Sequence, residues 1–304
     1  MLPLNCPVYF RHELAPYVTY KIGGPADIFV MPQSIEDMCR ALDFSSEQAL
    51  PLTLLGNGSN LLIRDKGIRG VVIYLGSLKE GRIEILSEDA NQIMIRVPAN
   101  LSKAHLLDWS LLHHLSGLEF SAGIPGTLGG AVFMNAGTKW GSYSNVIEAV
   151  QFYSLKRGLY TVLKDGLGLK YRGHGEGLLD GKTIVLSVDL LLKKEVDSKK
   201  SRNLVDEILG YRGLRQPLEY PNCGSVFKNP ENSEKGAGRL IEAAGLKGLR
   251  VGGAQVSLKH ANFILNVGSA TASDVETLIR KIQNEVFEKF SIQLETEVII
   301  LGEN

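Results

Sequence analysis

Two glycine-dense stretches are the first places where this chain could do chemistry. In one, Gly56-Asn57-Gly58-Ser59-Asn60 follows directly on the apolar run Leu52–Leu55. Such a turn points successive backbone amides at one anion, because glycine accepts positive φ and lets an oxygen come close to the main chain. The same residues also suit a tight turn between two strands. The other stretch, residues 116–141, reads SGLEFSAGIPGTLGGAVFMNAGTKWG. Pro125 stiffens it beside Gly126, and Ala122, Thr127, Ala131 and Ala136 are small enough for a flat ligand to lie against the backbone. Close backbone crossings are the other use of such a stretch.

Neither stretch carries a standard nucleotide fingerprint. Residues 56–61 begin as GxGxx but lack the third glycine, and no acidic residue follows at the position a βαβ unit requires. An ordinary Rossmann fold is therefore disfavoured. No GxxxxGK[ST] occurs either, so a dinucleotide would sit in some other fold.

Other reactive residue types are scattered. Ser225 stands in PNCGSVFKNP, residues 221–230; a serine in a Gly-Ser turn ordinarily bonds its own backbone. Cys223, two residues earlier, has no partner base in any motif, which argues against a thiol nucleophile. In LETEVIILG, strand alternation puts Glu295 and Glu297 on one face and Thr296 and Val298 on the other. The pattern does not choose between the two carboxylates. Cys6, Cys39, Cys223, His113, His114 and His260 match no metal-ligand spacing, so no metal is expected and the thiols read as reduced.

The elements that must position these groups alternate in type. Short β-like runs occupy residues 27–30, 52–55, 70–75, 92–97, 149–154 and 183–192, bounded by glycine-rich turns. Helical spacing marks residues 35–42, 102–115 and 273–290. In the last, Val275, Leu278, Ile279, Ile282, Val286, Phe287 and Phe290 form one stripe, and Ser273 with Glu276 reads as a capping box. The chain is α+β, neither a bundle nor a sandwich. The charged run 193–202, KKEVDSKKSR, reads as a solvated helix start or linker after a long apolar strand.

Bulk properties narrow the classes. At 304 residues the chain has room for two domains or three. Its 33 basic and 33 acidic residues cancel, which argues against a nucleic-acid binder. No signal-peptide pattern and no membrane-length apolar run is present, so a cytoplasmic protein without membrane contact is expected.

Four segments together resemble one family. Residues 20–27, YKIGGPAD, look like the opening motif of the UDP-N-acetylenolpyruvoylglucosamine reductases. Residues 56–60 and 123–137 resemble that family's two flavin loops, Tyr171-Arg172 its Tyr-Arg pair, and residues 216–230 with 237–248 its C-terminal signature. The likeness runs from about residue 16 to 302 and resembles the shorter subclass of the family. It implies a two-lobed FAD-binding domain of the PCMH/vanillyl-alcohol-oxidase type over residues 1–194, with lobes at about 1–76 and 77–194. A C-terminal α/β substrate domain over residues 195–304 would follow. It further implies noncovalent FAD, NADPH as co-substrate, a nucleotide-sugar substrate and a monomer.

The same resemblance assigns residues. Gly56, Asn57, Gly58, Ser59, Asn60, Gly123, Ile124, Pro125, Gly126, Gly129, Gly130, Asn135, Ala136 and Gly137 would hold the flavin. Tyr171, Lys228 and Asn229 would contact substrate. Arg172, Ser225 and Glu297 would be catalytic: Arg172 on the substrate carboxylate, where its planar fork suits bidentate contact, Ser225 as proton donor and Glu297 at the developing enolate. One departure follows the Tyr-Arg pair: His174 stands where relatives carry a serine, which leaves the hydrogen bonding near Arg172 open.

Overall fold

The computed structural model describes residues 4–79, 81–175 and 183–303. The part of the glycine-rich stretch 173–181 from Glu176 onward lies outside the described residues. The chain forms two compact units. One comprises Met1–Val8, Val30–Asn57 and Ile73–Arg212; the other comprises Tyr9–Phe29, Gly58–Val72 and Gly213–Asn304.

The first unit is built on an antiparallel sheet. Its strands run in the order Gly158–Leu163, Ile147–Ser154, Thr183–Lys194, Gln92–Pro98, Glu84–Glu88, and the short strand Leu115–Ser116 also pairs with Thr183–Lys194. The apolar run TIVLSVDLLL takes the centre because a strand buried on both faces needs continuous rather than alternating hydrophobicity. The edge strand Glu84–Glu88 is exposed throughout. Asp189, the one carboxylate in the central run, is buried and directly opposite Arg96. Two parallel bonds join them, Nε to Oδ1 at 2.7 Å and Nη2 to Oδ2 at 2.8 Å, the fork geometry that makes burial of a charge tolerable. The helix Leu128–Met134 packs on strands Thr183–Lys194 and Gln92–Pro98. Ile95, Val97, Leu106, Phe120, Val132, Phe152, Val188 and Leu190 fill the core beneath it. At about 1.5–3 kcal/mol per buried side chain of this size, that layer gives the glycine-rich loop a rigid floor.

The second unit holds most of the strands Val8–Glu13, Pro25–Val30 and Ile68–Tyr74, side by side in that order. It also holds a small antiparallel sheet of Arg250–Val251, Ala254–Val256 and Ile264–Asn266. The final strand Ile299–Leu301 runs parallel to Leu61–Ile63. Helices Ala237–Ala243 and Ala272–Phe290 pack together over a core that includes Tyr20, Phe227, Ile241, Val275, Leu278 and Ile282. The long helix starts two residues before the expected box: Thr271 is the N-cap and Asp274 its partner. Glu276 is buried instead, and its Oε1 accepts from Arg64 Nε at 2.8 Å. Phe287, assigned to the apolar stripe by spacing, is 52% exposed. The charged run 193–202 splits between the end of strand Thr183–Lys194 and the start of helix Ser198–Arg215. Among the described residues no helix is long and apolar enough to cross a membrane.

Candidate active site

In the first unit the glycine stretch wraps the start and end of the helix Leu128–Met134. Thr127 caps its start, with Oγ1 accepting from Gly130 N at 3.4 Å. Asn135 ends it in the left-handed conformation, φ +39°. Several of these glycines are close-packed crossings. A Cβ on Gly137 would lie 2.5 Å from Gly141 O, one on Gly129 3.2 Å from Ala99 Cβ, and one on Gly123 2.8 Å from Arg212 Nε. Gly56 and Gly130 differ. A Cβ on either would meet only Thr127 Oγ1, at 3.6 and 3.7 Å. Ile124 N donates to Ser121 O, Ala136 N to Ala131 O, and Gly126 O accepts from Lys103 N at 3.0 Å. Pro125 and Asn57 are exposed.

Arg172 sits at the tip of a tight hairpin. Lys170 and Gly173 exchange both main-chain bonds, each 3.1 Å, with Tyr171 and Arg172 between them. Arg172 has φ +52°, a left-handed value that a bulky residue holds only when its surroundings impose it. Two groups do so. Asn135 Nδ2 donates to Lys170 O at 3.0 Å while its Oδ1 accepts from Ser144 N at 3.0 Å. Arg172 Nη2 donates to Gly137 O at 2.9 Å. The guanidinium also lies 5.0 Å from the centre of the half-exposed Tyr171 ring. His174 bonds Gly175 O through Nδ1 at 2.9 Å and meets the Phe133 ring edge-on.

In the second unit Ser225 and Glu297 come together on adjacent segments. Glu297 N donates to Val226 O at 2.8 Å, and Phe227 pairs with Thr296 as an antiparallel bridge. Three asparagines hold this pair in place. Asn222 orders the turn before Ser225: its Oδ1 accepts from Gly224 N at 2.9 Å and its Nδ2 donates to Tyr220 O at 2.8 Å. Asn262, buried, accepts from Phe227 N and donates to Phe227 O at 2.9 and 2.8 Å. Asn60 Nδ2 donates to Glu297 O at 2.9 Å. Gly58, with φ +57°, packs so tightly that a Cβ would lie 2.7 Å from Tyr17 O.

The structure separates the two carboxylates that alternation could not. Glu295 is exposed and paired with Lys228, Nζ to Oε2 at 3.3 Å; Glu297 is half-buried. Asn229 Oδ1 accepts from Ala237 N at 3.0 Å, so it supports the start of helix Ala237–Ala243. Cys223 is fully enclosed. Burial, and secondarily the Glu297 carboxylate, push its thiol up to about 12, which leaves it protonated and unreactive at neutral pH.

Comparisons with known proteins give this arrangement its context. A family model described as an FAD binding domain matches residues 26–161, and one described as the C-terminal domain of UDP-N-acetylenolpyruvoylglucosamine reductase matches residues 216–301. The UDP-N-acetylenolpyruvoylglucosamine reductase of Listeria innocua is 44% identical over 98% of this chain and 96% of its own length. The chain belongs to the UDP-N-acetylenolpyruvoylglucosamine reductase family. The reductase of Exiguobacterium sibiricum is 40% identical over 97% of this chain and 93% of its own. The crystal structure of the Thermus caldophilus reductase superposes with a TM-score of 0.79 at 33% identity, covering 98% of this chain and all of that one. Relatives match throughout, so the α+β reading and the FAD-binding domain apply to this chain.

The residues fit such a cofactor on one structural observation. Gly56 and Gly130 present open backbone beside a single hydroxyl, space that side chains would fill. Sequence reasoning missed Lys103, Arg212, Asn222 and Asn262. Lys103, Arg212 and Asn262 stand in no motif and are marked by burial or by a bond to main chain far away in sequence; Asn222 lies within PNCGSVFKNP, where its local bonds order the turn before Ser225.

Proposed function

We propose that this chain reduces UDP-N-acetylglucosamine enolpyruvate to UDP-N-acetylmuramate with NADPH, through noncovalently bound FAD, in peptidoglycan precursor synthesis. Near-full-length identity to reductases of this name carries the reading. The division into a flavin domain over residues 1–194 and a substrate domain over residues 195–304 belongs to the same proposal. So does a monomeric, cytoplasmic protein.

FAD would supply the relay that takes hydride from NADPH and delivers it to the methylene carbon of the enol ether. Gly56–Asn60 and the 123–137 segment would hold it. The chain's own side chains then have two tasks. Negative charge grows on the carbon beside the carboxylate and spreads into it, so a fixed cation there lowers the barrier. Arg172 suits this, since its hairpin and Gly137 bond hold the guanidinium before substrate arrives. The same carbon must then receive a proton. Ser225 would donate it, with Glu297 assisting. A serine hydroxyl is a weak acid, so position decides its usefulness, and the asparagine bonds around residues 224–227 provide that position. Tyr171, Lys228 and Asn229 would contact the nucleotide-sugar.

The purified protein should be yellow, and its NADPH oxidation should depend on the enolpyruvyl nucleotide-sugar. Ser225→Ala should leave flavin reduction by NADPH intact and lose most reoxidation by substrate. A colourless protein, or oxidation indifferent to substrate, would overturn the reading. Equal loss in both half-reactions would remove Ser225 from the proton step.

A further inference from the structure

Beside the glycine segment of the first unit lies a lysine, Lys103, that forms no ion pair among the described residues. Lys103 opens the helix Lys103–Leu112, a position that usually faces solvent, yet it is only 5% exposed. Carrying a charge on a side chain this buried costs free energy. Among the described residues no hydrogen bond or ion pair reaches Lys103 Nζ. The charges acting on it are both positive, Arg212 from helix Ser198–Arg215 and Arg172 from the 170–173 turn. All three residues are tied to one stretch of backbone. Lys103 N donates to Gly126 O at 3.0 Å, Arg212 Nη2 to Gly123 O at 2.9 Å, and Arg172 Nη2 to Gly137 O at 2.9 Å. A like charge nearby disfavours the ammonium form of Lys103, and an anion beside it would favour that form.

We propose that Lys103 meets an anionic group of the bound flavin, and that binding loads it with a proton from solvent. This rests on the flavin reading. The flavin is favoured over other anions because Lys103, Gly123 and Gly126 all lie within the region matched by the FAD binding domain. Two groups of that cofactor have the required chemistry: the diphosphate, and the ring once reduction has made it negative. Burial, then the two arginines, lower the free Lys103 ammonium to about 7. An anion beside it raises that value. Affinity is therefore full below neutral pH and declines as pH climbs from about 7 through the raised value of the complex.

The test uses full-length protein, Lys103→Met and Lys103→Arg. FAD and riboflavin dissociation are followed by flavin fluorescence from about pH 6 to about pH 9, with proton uptake from titration calorimetry in buffers of different ionisation heat. Wild type should lose FAD affinity by roughly tenfold across the alkaline side and take up protons on binding. Lys103→Met should bind more weakly at neutral pH and show no pH slope. Lys103→Arg, always charged, should bind tightly with no slope. Absence of the effect with riboflavin assigns it to the diphosphate. Equal FAD affinities in wild type and Lys103→Met overturn proton loading on binding, even if the midpoint potential is lowered in Lys103→Met and kept in Lys103→Arg. Identical affinity, slope and potential in all three proteins overturn the role of Lys103 while leaving the flavin reading standing. Failure of wild type to bind FAD at any pH overturns both.

Discussion

Replacing Asn262 by alanine should damage the Ser225 segment without touching any reacting group. The side chain makes two bonds to one residue, accepting from Phe227 N at 2.9 Å and donating to Phe227 O at 2.8 Å. Phe227 is 1% exposed and Asn262 4%, so water has no ready access to either main-chain group once the amide is gone. Each buried group left unpaired costs roughly 1–3 kcal/mol, which puts the loss at about 2–6 kcal/mol. The bond from Val226 N to the main-chain oxygen of residue 262 survives, so the segment should loosen rather than detach. A melt should fall by on the order of 10 °C. Stopped-flow traces should show reoxidation by substrate slowed more than reduction by NADPH, because Ser225 lies two residues from the freed backbone. Asn262→Asp should be no milder, since its second oxygen faces Phe227 O. A variant as stable as wild type with both half-reactions unchanged would refute the claim that this amide holds the segment in register.

Two further outcomes follow from the same geometry. Glu295→Gln breaks only an exposed pair with Lys228, so turnover should stay within about twofold; Glu297→Gln should lower the substrate half-reaction far more, and equal effects would show that the strand face does not distinguish them. Asp274 is held below the ordinary carboxylate range chiefly by the main-chain N–H of Thr271, with Gly253 N–H adding to it. Its stabilising contribution is present above the unfolded value of about 3.9 and disappears as pH falls through the folded one. The urea midpoint of Asp274→Asn should therefore drop less than wild type between about pH 5 and about pH 3, and parallel curves would remove Asp274 from the acid limb.

The legible parts of the fold are those set by local pattern. The run 183–192 reads as a strand because ten residues contain a single charge, and it forms the sheet centre. The long C-terminal helix is equally plain from its stripe. Its start is less so, because Thr271-Asp274 and Ser273-Glu276 both fit a capping box. A distant residue decides between them: Arg64 takes Glu276 into an ion pair, which leaves the earlier pair to cap. The helix Ser198–Arg215 hides behind its charges, with Val205 and Ile208 among its few buried side chains. Glycine density pointed to the loops but not to which glycines stay open: Gly123 is occupied by Arg212 and Leu209, remote in sequence, and Gly137 by Gly141 and Ser142 only a turn away. Lys103 is invisible for the same reason: a lysine in a first helical turn looks like surface until its burial is known.

What unites the three proposed catalytic positions is that none stands inside a long element, and each is held by an asparagine amide acting as substitute strand. Asn135 ties down the Arg172 hairpin, Asn262 the backbone after Ser225, and Asn60 the carbonyl of Glu297. The choice of side chain has a physical reason. A primary amide offers a donor and an acceptor in the geometry of a peptide group, so it satisfies irregular backbone that no neighbouring strand can reach. Aspartate would lose the donor and serine the span. Irregular backbone lets a functional side chain point away from the core, at the cost of main-chain groups left without ladder partners. Asn60 and Asn135 thus belong to the proposed flavin loops by position, while their amides serve the placement of Glu297 and Arg172. A substitution at either should therefore disturb the substrate half-reaction as well as flavin binding, a coupling that a purely flavin-contacting residue would not produce.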